Sequence, residues 1–292
     1  MNIIETENLT KFYGRNRGIM DVNIRVKEGE IFGFVGPNGA GKTTTIRLLL
    51  GLIFPTRGKA KIFGKDVMIE GKKIREIIGY VPGEVNFYPE AHIEDFLNFS
   101  ASFYRDVDRK YLARLCQDLS LDVKKKFREL SLGNKKKVAI VQALMHKPKL
   151  LILDEPTSSL DPLMQKTLFE ILLDEKKKGT TIFFSSHVLS EVERLCDRVA
   201  MIKDGKIIKI LDIEELKNSY LKVVRLQTEE REKLMSIFKD SKVYSESERK
   251  YRILFGGNVN ELLQKLSKIE IEDVFIEDPS LEEVFMQYYK EE

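Results

Sequence analysis

Short apolar runs separated by polar turns open the chain and predict β-strands. In the first 35 residues apolar and polar positions alternate in the way typical of antiparallel strands, at Ile3–Glu7, Val22–Val26 and Ile31–Val35. A glycine-containing turn at residues 27–30 separates the second run from the third. Further along the chain, two more strands are predicted, at residues 59–64 and 77–82.

The spacing of apolar residues changes to three and four in the middle of the chain and predicts helices. Between His92 and Leu121 this spacing is followed by Phe96, Phe99 and Phe103, which we interpret as core residues. A further helix is predicted from Leu132 to Met145.

Three consecutive lysines, Lys135 to Lys137, fall in the first turns of that helix, on the side that we expect to face solvent. Positive charge near a helix N-terminus is unfavourable for the helix dipole. The lysines therefore indicate a ligand or a partner.

Two runs in the second half of the chain predict buried parallel strands, at Leu150–Leu153 and at Thr180–Ser185. A helix is predicted between them over residues 162–178, with Pro162 in its first position and Asp161 as its cap. A hairpin follows, with strands at 198–202 and 206–210 joined by Asp204 and Gly205.

The last part of the chain predicts a smaller α+β domain. Its strands are predicted at 221–227, 242–246, 250–255 and 270–276, and its helices at 229–238 and 259–266. The order β-α-β-β-α-β is that of a ferredoxin-like domain. A last helix is predicted to begin within residues 278–285. Regulation, dimerisation and stabilisation are all compatible with such a domain.

One motif with specific chemistry lies between the strand at 31–35 and an apolar helical stretch at 44–50. It reads G-x-x-x-x-G-K-T. Glycines let such a loop close around a polyphosphate with its N–H groups inward, and the following helix N-terminus favours negative charge. In this motif Lys42 reaches the β- and γ-phosphates and the Thr43 hydroxyl ligates Mg²⁺. The predicted nucleotide-binding residues here are Gly36, Pro37, Asn38, Gly39, Ala40, Gly41, Lys42, Thr43 and Thr44.

Polar side chains end both predicted buried strands. Asp154 and Glu155 follow the first, and His187 follows the second. Ligands bind at the carboxyl ends of parallel strands. We therefore predict that Asp154 holds Mg²⁺ and that Glu155 orients or deprotonates an attacking water. His187 is predicted to act beside the γ-phosphate.

Composition limits the class of protein. The formal net charge is +3, but it is −6 from Leu211 onward and +9 before it. The basic part suits a polyphosphate or an anionic lipid surface, and equally a solvated lysine-rich surface. No apolar run approaches the ~18–20 residues of a membrane span, and the N-terminus lacks the pattern of a secretory signal. Cys116 and Cys196 lack metal-ligand spacing, which favours two thiols in a reducing compartment.

Together these segments resemble the nucleotide-binding subunit of an ATP-binding-cassette (ABC) transporter, over about residues 3–216. The motifs that carry the resemblance are, in order, Gly36–Thr43, Leu130–Asn134, Leu150–Glu155, Ser159–Asp161 and His187. The resemblance implies an α/β P-loop ABC ATPase fold, with a mixed-sheet core, an antiparallel β subdomain and a helical subdomain at about 90–147. We predict this domain over 1–216 and the accessory α+β, ferredoxin-like domain over 220–292.

The resemblance also implies roles for individual residues. Tyr13 stacks on adenine, and two subunits pack head to tail with ATP between them. Each ATP then lies between the phosphate loop of one chain and Ser131 and Gly133 of the other. By the same resemblance Asp161 communicates across that interface, and His187 contacts the γ-phosphate. ATP and Mg²⁺ are the implied cofactors.

The sequence departs from the family pattern twice. The signature is usually Leu-Ser-Gly-Gly-Gln, and here it is Leu-Ser-Leu-Gly-Asn, with Leu132 in place of a glycine. The glutamine expected after residues 79–82 is replaced by Gly83 and Glu84. Glycine has no side chain to ligate Mg²⁺, so Glu84 is the candidate metal ligand of this loop. Both departures resemble bacterial and archaeal exporter ATPases that pair with separate membrane subunits.

We predict an ATP-binding and ATP-hydrolysing subunit of an exporter, as a homodimer or as a heterodimer with a second ATPase subunit. Its partner is a separate integral membrane permease that docks near Tyr80–Asp95, at the cytoplasmic, inner face of the cell membrane, and no nucleic acid is expected. The alternative is a soluble ABC ATPase that acts on the ribosome or on nucleic acid. Against the alternative, the chain has one set of motifs, and the 111 residues between Lys42 and Asp154 lack the heptads of a coiled-coil insertion.

Overall fold

The computed structural model describes residues 1–217 and 221–282. The chain divides into two compact units, Met1–Leu211 and Asp212–Glu292, whereas the prediction assigned 212–216 to the first domain. The elements of the first unit are, in chain order, β1 (Asn2–Tyr13), β2 (Asn16–Val22), β3 (Arg25–Lys27), β4 (Ile31–Val35), α1 (Lys42–Leu49), β5 (Arg57–Ile62), β6 (Lys65–Asp66), α2 (Val67–Arg75), β7 (Ile78–Val81), α3 (Ile93–Ala101), α4 (Arg109–Asp118), α5 (Leu132–Leu144), β8 (Leu150–Asp154), α6 (Pro162–Lys177), β9 (Thr181–Ser186), α7 (Leu189–Leu195), β10 (Arg198–Lys203) and β11 (Lys206–Asp212).

An antiparallel sheet is built around the long strand β1, which pairs with β2, β3 and β5. The predicted strand Val22–Val26 is divided here between the end of β2 and the start of β3. The Thr6 hydroxyl bridges the division: it donates to the carbonyl of Val22 (2.9 Å) and accepts from the N–H of Ile24 (2.9 Å). A side chain thus replaces ladder hydrogen bonds at this point.

A second sheet has the strand order β11-β10-β4-β9-β8-β7. From β10 to β7 its neighbouring strands are parallel, and all residues of β4, β8 and β9 are buried. The prediction that Ile31–Val35 belongs to an antiparallel sheet is therefore wrong. Gly33 in this strand faces α7, where an added Cβ would lie 2.6 Å from Val192 Cγ1. The small residue in the middle of this run therefore allows close packing of a helix and does not mark a face exposed to solvent.

Helices fill the region between β7 and β8, with a short 3₁₀ turn at Phe127–Glu129 before α5. Phe96 packs against Phe87 and Phe127 there, with ring centroids 5.0 and 5.3 Å away. Phe99 and Phe103 are instead 64% and 70% exposed, so their predicted place in the core is wrong. α3 turns its other face inward, through Ile93, Leu97 and Ala101.

The second unit contains α8 (Ile213–Lys217), β12 (Leu221–Gln227), α9 (Arg231–Ile237), β13 (Lys242–Ser245), β14 (Lys250–Gly256), α10 (Val259–Leu266) and β15 (Asp273–Glu277). Its antiparallel sheet has the order β13-β14-β12-β15. Residues of α9 and α10 share a core cluster with β12 and β14, including Leu234, Phe255 and Leu262. Of the predicted last helix, residues 283–285 lie outside the described part of the chain.

Within residues 1–217 and 221–282, no helix combines the length and the hydropathy that a bilayer crossing requires.

Candidate functional site

The phosphate loop joins the buried strand β4 to α1 in the predicted strand-loop-helix order. Gly39 and Gly41 have positive φ angles of 79° and 110°, which favour glycine. At Gly36, an added Cβ would lie 2.2 Å from the carbonyl oxygen of Ile202, so only glycine fits. No described side chain caps α1, and its first turn carries no acidic residue. The first N–H groups of the helix are therefore available to an anion.

Lys42 is buried at the start of α1, with its ammonium directed back into the loop. Its Nζ donates to the carbonyl oxygens of Gly36 (2.7 Å) and Pro37 (3.1 Å). The same Nζ lies 3.2 Å from Glu155 Oε1. A buried ammonium needs such acceptors, and incoming phosphate oxygens are chemically equivalent replacements for them.

Asp154 and Glu155 lie at the carboxyl end of β8, as predicted, but their environments differ. Asp154 is fully buried, and Ser185 Oγ donates to its Oδ1 (2.8 Å). Burial and the charge of Asp154 raise the pKa of the neighbouring Tyr80 hydroxyl to about 12. Glu155 has a positive φ of 48°, a conformation that a non-glycine residue adopts at a cost. Its N–H donates to the carbonyl oxygen of Ser185 (3.1 Å), which holds the strained turn.

His187 follows β9 and lies beside Glu155. Its Nδ1 is 3.3 Å from Glu155 Oε2, while Lys42 contacts the other carboxylate oxygen. The three residues predicted to be catalytic thus form one contiguous group. They converge because β4, β8 and β9 are adjacent parallel strands whose carboxyl ends share one edge of the sheet.

A cavity of about 400 Å³ opens in front of this group, lined by phosphate-loop residues, by Glu155 and by Tyr13. Tyr13 is exposed at the end of β1, and its stacking on adenine stays a prediction. Arg17 and Gly18 of β2 also line the cavity, although the sequence did not indicate them. An added Cβ at Gly18 would lie 2.9 Å from the Tyr13 ring. This close approach places Gly18 at the cavity, and no sequence pattern indicates it.

The predicted metal ligands lie around the same edge. Thr43 lines the cavity, and Asp154 lies at the end of β8. On the other side of Asp154 is Gly83, where an added Cβ would be 3.5 Å from Asp154 Oδ2. Glu84 is exposed, and its role as a ligand stays a prediction. No group of three or more His, Cys, Asp or Glu residues in the described chain could hold a metal by itself.

The segment with Ser131 and Gly133 does not line this cavity. Ser131 caps α5 by accepting from the N–H of Asn134 (3.3 Å), and Leu132 is 65% exposed. Gly133 abuts the loop after β8, where an added Cβ would lie 2.4 Å from the carbonyl oxygen of Ser159. Asp161 in that loop caps α6 by accepting from the N–H of Met164 (3.0 Å). The predicted cross-interface roles of these residues stay predictions.

The structure contradicts the expectation of a solvent-facing position for two of the three lysines of α5, and the third, Lys135, is half-buried. Lys136 and Lys137 are both buried. Helical spacing could have indicated this for Lys137, which precedes the buried Val141 by one turn. Residues 136–141 of α5 are buried on all sides, so no single apolar face marks the helix.

A second feature that the sequence did not indicate is a buried carboxylate between two loops of the site. Glu191 of α7 accepts hydrogen bonds from Thr157 Oγ1 (3.1 Å) and from Ser186 Oγ (2.7 Å). Ser186 Oγ in turn accepts from the N–H of Val188 (2.9 Å). Glu191 thus ties the loop that follows Glu155 to the loop that carries His187.

Comparisons with known proteins identify the class. Residues 19–158 match the ABC transporter family. The chain is 35% identical over 296 residues to the bacitracin transport ATP-binding protein BcrA of Bacillus licheniformis, covering 98% of this chain and 96% of the relative. The chain therefore belongs to the family of ABC transporter ATP-binding proteins, and it is an ATP-binding ATPase.

Two solved structures agree with this assignment. An ATP-binding subunit of an ABC transporter superposes with a TM-score of 0.68 at 31% identity, over 74% of this chain and 92% of that one. A dimeric ATP-binding cassette in a post-hydrolysis state, bound to ADP and Pi, superposes with a TM-score of 0.66 at 26% identity, over 72% of this chain and 98% of that one. The alternative of a soluble ATPase that acts on ribosomes or nucleic acid is not favoured by these relatives.

Proposed function

We propose that this chain is the ATP-hydrolysing subunit of an ABC exporter and works as a dimer with ATP and Mg²⁺ between two chains. One observation carries the proposal. Lys42, Glu155 and His187 form a contiguous group at the cavity, while the Ser131–Gly133 segment, with Ser131 and Leu132 exposed, does not line that cavity. A second chain that presents this segment would close the open side of the site.

The residues at the sheet edge fit a magnesium nucleotide. Mg²⁺ prefers oxygen ligands and is usually held by one or two protein groups together with phosphates and water. The Thr43 hydroxyl and the Asp154 carboxylate are such ligands, with Glu84 as a further candidate. When bound, Mg²⁺ offsets negative charge on the β- and γ-phosphates.

Each residue of the group has a separate task in hydrolysis. Lys42 exchanges its contacts with loop carbonyls and Glu155 for β- and γ-phosphate oxygens. Once Lys42 has moved to the phosphates, the Glu155 carboxylate is released to orient a water molecule and to accept its proton. His187 keeps hold of the other Glu155 oxygen and reaches the γ-phosphate. The partner's Ser131–Gly133 segment excludes bulk water from this site.

Coupling to transport requires a membrane subunit. Large exposed side chains support docking near the predicted segment 80–95. Tyr88 in that segment is 84% exposed, and the exposed Phe99 and Phe103, nearby in sequence, pack edge to face. Exposed aromatic residues of this kind are typical of protein interfaces. The relative from Bacillus licheniformis is named for bacitracin transport, which supports an exporter. The chain then works peripherally, at the inner face of the cell membrane.

Co-purification from the native cell tests this proposal. A tagged Glu155→Gln chain is added with ATP and Mg²⁺ to detergent-solubilised membranes and, separately, to the soluble fraction, with Lys42→Ala as the matched control. We expect a stoichiometric multi-span membrane protein with Glu155→Gln. Ribosomes or nucleic acid from the soluble fraction, with nothing from membranes, would contradict the exporter assignment.

A further inference from the structure

A buried ammonium lies behind the metal-binding edge of the site and is not explained by the roles above. Lys136, in the second turn of α5, is only 2% exposed. Its Nζ donates to the carbonyl oxygens of Pro82 (2.9 Å) and Gly83 (2.6 Å). Burying a charged group is unfavourable unless it is hydrogen-bonded, so these two bonds hold the ammonium in place.

The electrostatic surroundings of Lys136 point to the same edge. Burial lowers the pKa of its ammonium, whereas the negative charges of Asp154 and Glu155 act in the opposite direction. The ammonium is thus a buried cation near the two carboxylates at the end of β8. It lies on the α5 side of them, whereas Lys42 approaches Glu155 from the phosphate loop.

The loop that Lys136 holds lies directly against Asp154. An added Cβ at Gly83 would be 3.5 Å from Asp154 Oδ2 and 3.7 Å from the backbone oxygen of the same residue. Gly83 has no side chain with which to fix its own position relative to the carboxylate. Its backbone is fixed from behind, by the hydrogen bond that its carbonyl accepts from Lys136.

The helix that carries Lys136 also carries the segment proposed to meet the second chain. Gly133, three residues before Lys136, packs closely on the carbonyl of Ser159. An α-helix is rigid over this length, so a shift of Ser131–Gly133 moves Lys136 and the loop that it holds.

We propose that Lys136 is a positioning residue that fixes the Pro82–Gly83 backbone against Asp154 and links that edge to the Ser131–Gly133 segment. The inference rests on the proposed function of the site. Without the ammonium, the loop can move away from Asp154, and the Pro82–Gly83 backbone no longer packs against the metal-binding edge. Nucleotide binding through the phosphate loop does not depend on this link.

Three variants of the full chain test the proposal. Lys136→Met keeps the aliphatic stem and removes the charge and the donors. Lys136→Arg retains both. Lys110→Met, at an exposed position on α4, is the matched control for loss of one lysine. Should Lys136→Met fail to fold by circular dichroism, Lys136→Gln takes its place, because it keeps a neutral donor and removes the buried charge.

The main readout is the Mg²⁺ concentration at half-saturation, measured by binding of a fluorescent ATP analogue and by phosphate release. Changes behind a metal ligand typically weaken metal binding by about 10- to 100-fold, so we expect at least a tenfold rise for Lys136→Met. Lys136→Arg should bring the Mg²⁺ concentration at half-saturation most of the way back to the wild-type value. Binding of the analogue in EDTA should be the same in all variants. Backbone hydrogen exchange of residues 83–86 in the nucleotide-free chain should accelerate in Lys136→Met and stay unchanged in Lys110→Met.

An unchanged Mg²⁺ requirement together with unchanged exchange at 83–86 would overturn the role of Lys136. A wild-type chain without Mg²⁺-dependent ATP hydrolysis would instead contradict the proposed function itself. The exchange measurement needs no nucleotide, so the two failures are distinguishable. A loss of thermal stability without any change in the Mg²⁺ requirement would reduce Lys136 to a packing residue and would also overturn the proposal.

Discussion

Replacing Glu155 with Gln separates nucleotide binding from hydrolysis more cleanly than any other substitution in the site. The amide has the shape of the carboxylate, so the strained backbone at this position keeps its hydrogen bond to Ser185. Lys42 loses its ion pair with Glu155 Oε1, at 3.2 Å, but retains the carbonyls of Gly36 and Pro37. Because this ammonium is buried, we expect the free energy of unfolding to fall by about 1.5–3 kcal/mol.

The effect on turnover should be far larger. A general base contributes typically 10²- to 10⁴-fold to rate, which corresponds to about 3–5 kcal/mol of barrier. Phosphate release by Glu155→Gln should fall by that factor, while ATP affinity is retained or increased because a negative charge near the γ-phosphate is gone. With hydrolysis blocked, the chain should accumulate as a closed dimer in ATP and Mg²⁺.

Phosphate release and light scattering after size exclusion measure the two effects on one sample. Glu170→Gln, which removes an exposed carboxylate on α6, is the control and should behave as wild type. A Glu155→Gln chain that hydrolyses ATP at a near-normal rate would refute its role as the base. A chain that remains monomeric at saturating ATP and Mg²⁺ would refute the two-chain site.

Three further outcomes are expected. Lys42→Ala should reduce ATP hydrolysis by at least about 100-fold, because the phosphates lose their cation, and near-normal phosphate release would show that the site is elsewhere. Glu191→Ala leaves the buried hydroxyls of Thr157 and Ser186 without their acceptor, so the free energy of unfolding in urea should fall by about 2 kcal/mol. The control Glu170→Ala, at an exposed position, should unfold like the wild type, and equal urea midpoints for the two variants would contradict the prediction. Burial lowers the pKa of His146 to about 4. The unfolded chain therefore binds a proton first, and the free energy of unfolding should fall by up to about 2–3 kcal/mol between about pH 6.5 and pH 4. His146→Gln should reduce this fall and exposed His92→Gln should not, whereas parallel pH curves for His146→Gln and wild type would disprove it.

The phosphate loop and the two buried strands could be predicted because their signals are local. The glycine-rich segment with Lys42, the apolar strand before it and the apolar helix after it all lie within one short stretch of sequence and can be recognised there. Likewise, four apolar residues before Asp154 specify a strand buried on both faces. Adjacent parallel strands then bring Glu155 and His187 together without any further information.

The misinterpreted residues are those whose environment depends on distant segments. Periodicity shows that Phe99 and Phe103 share a face of the helical region, but not whether another element covers that face. For Lys136, charge favoured solvent, and the acceptors that make its burial possible are backbone carbonyls more than fifty positions away. Backbone groups carry no sequence signal, so a cation held by them is invisible until the chain is folded.

In the proposed dimer each ATP site is completed by a second chain, and a photo-crosslink from Leu132 tests this directly. Leu132 is exposed beside Ser131 and Gly133, and it can be replaced by a benzoyl-phenylalanine in the Glu155→Gln chain. Isotopically labelled and unlabelled chains are mixed, irradiated with and without ATP and Mg²⁺, and digested for mass spectrometry. We predict ATP-dependent adducts between labelled and unlabelled chains that join residue 132 to the partner's phosphate loop, residues 36–44. Adducts confined to one chain, or adducts between chains that form equally without ATP, would contradict an ATP site shared by two chains.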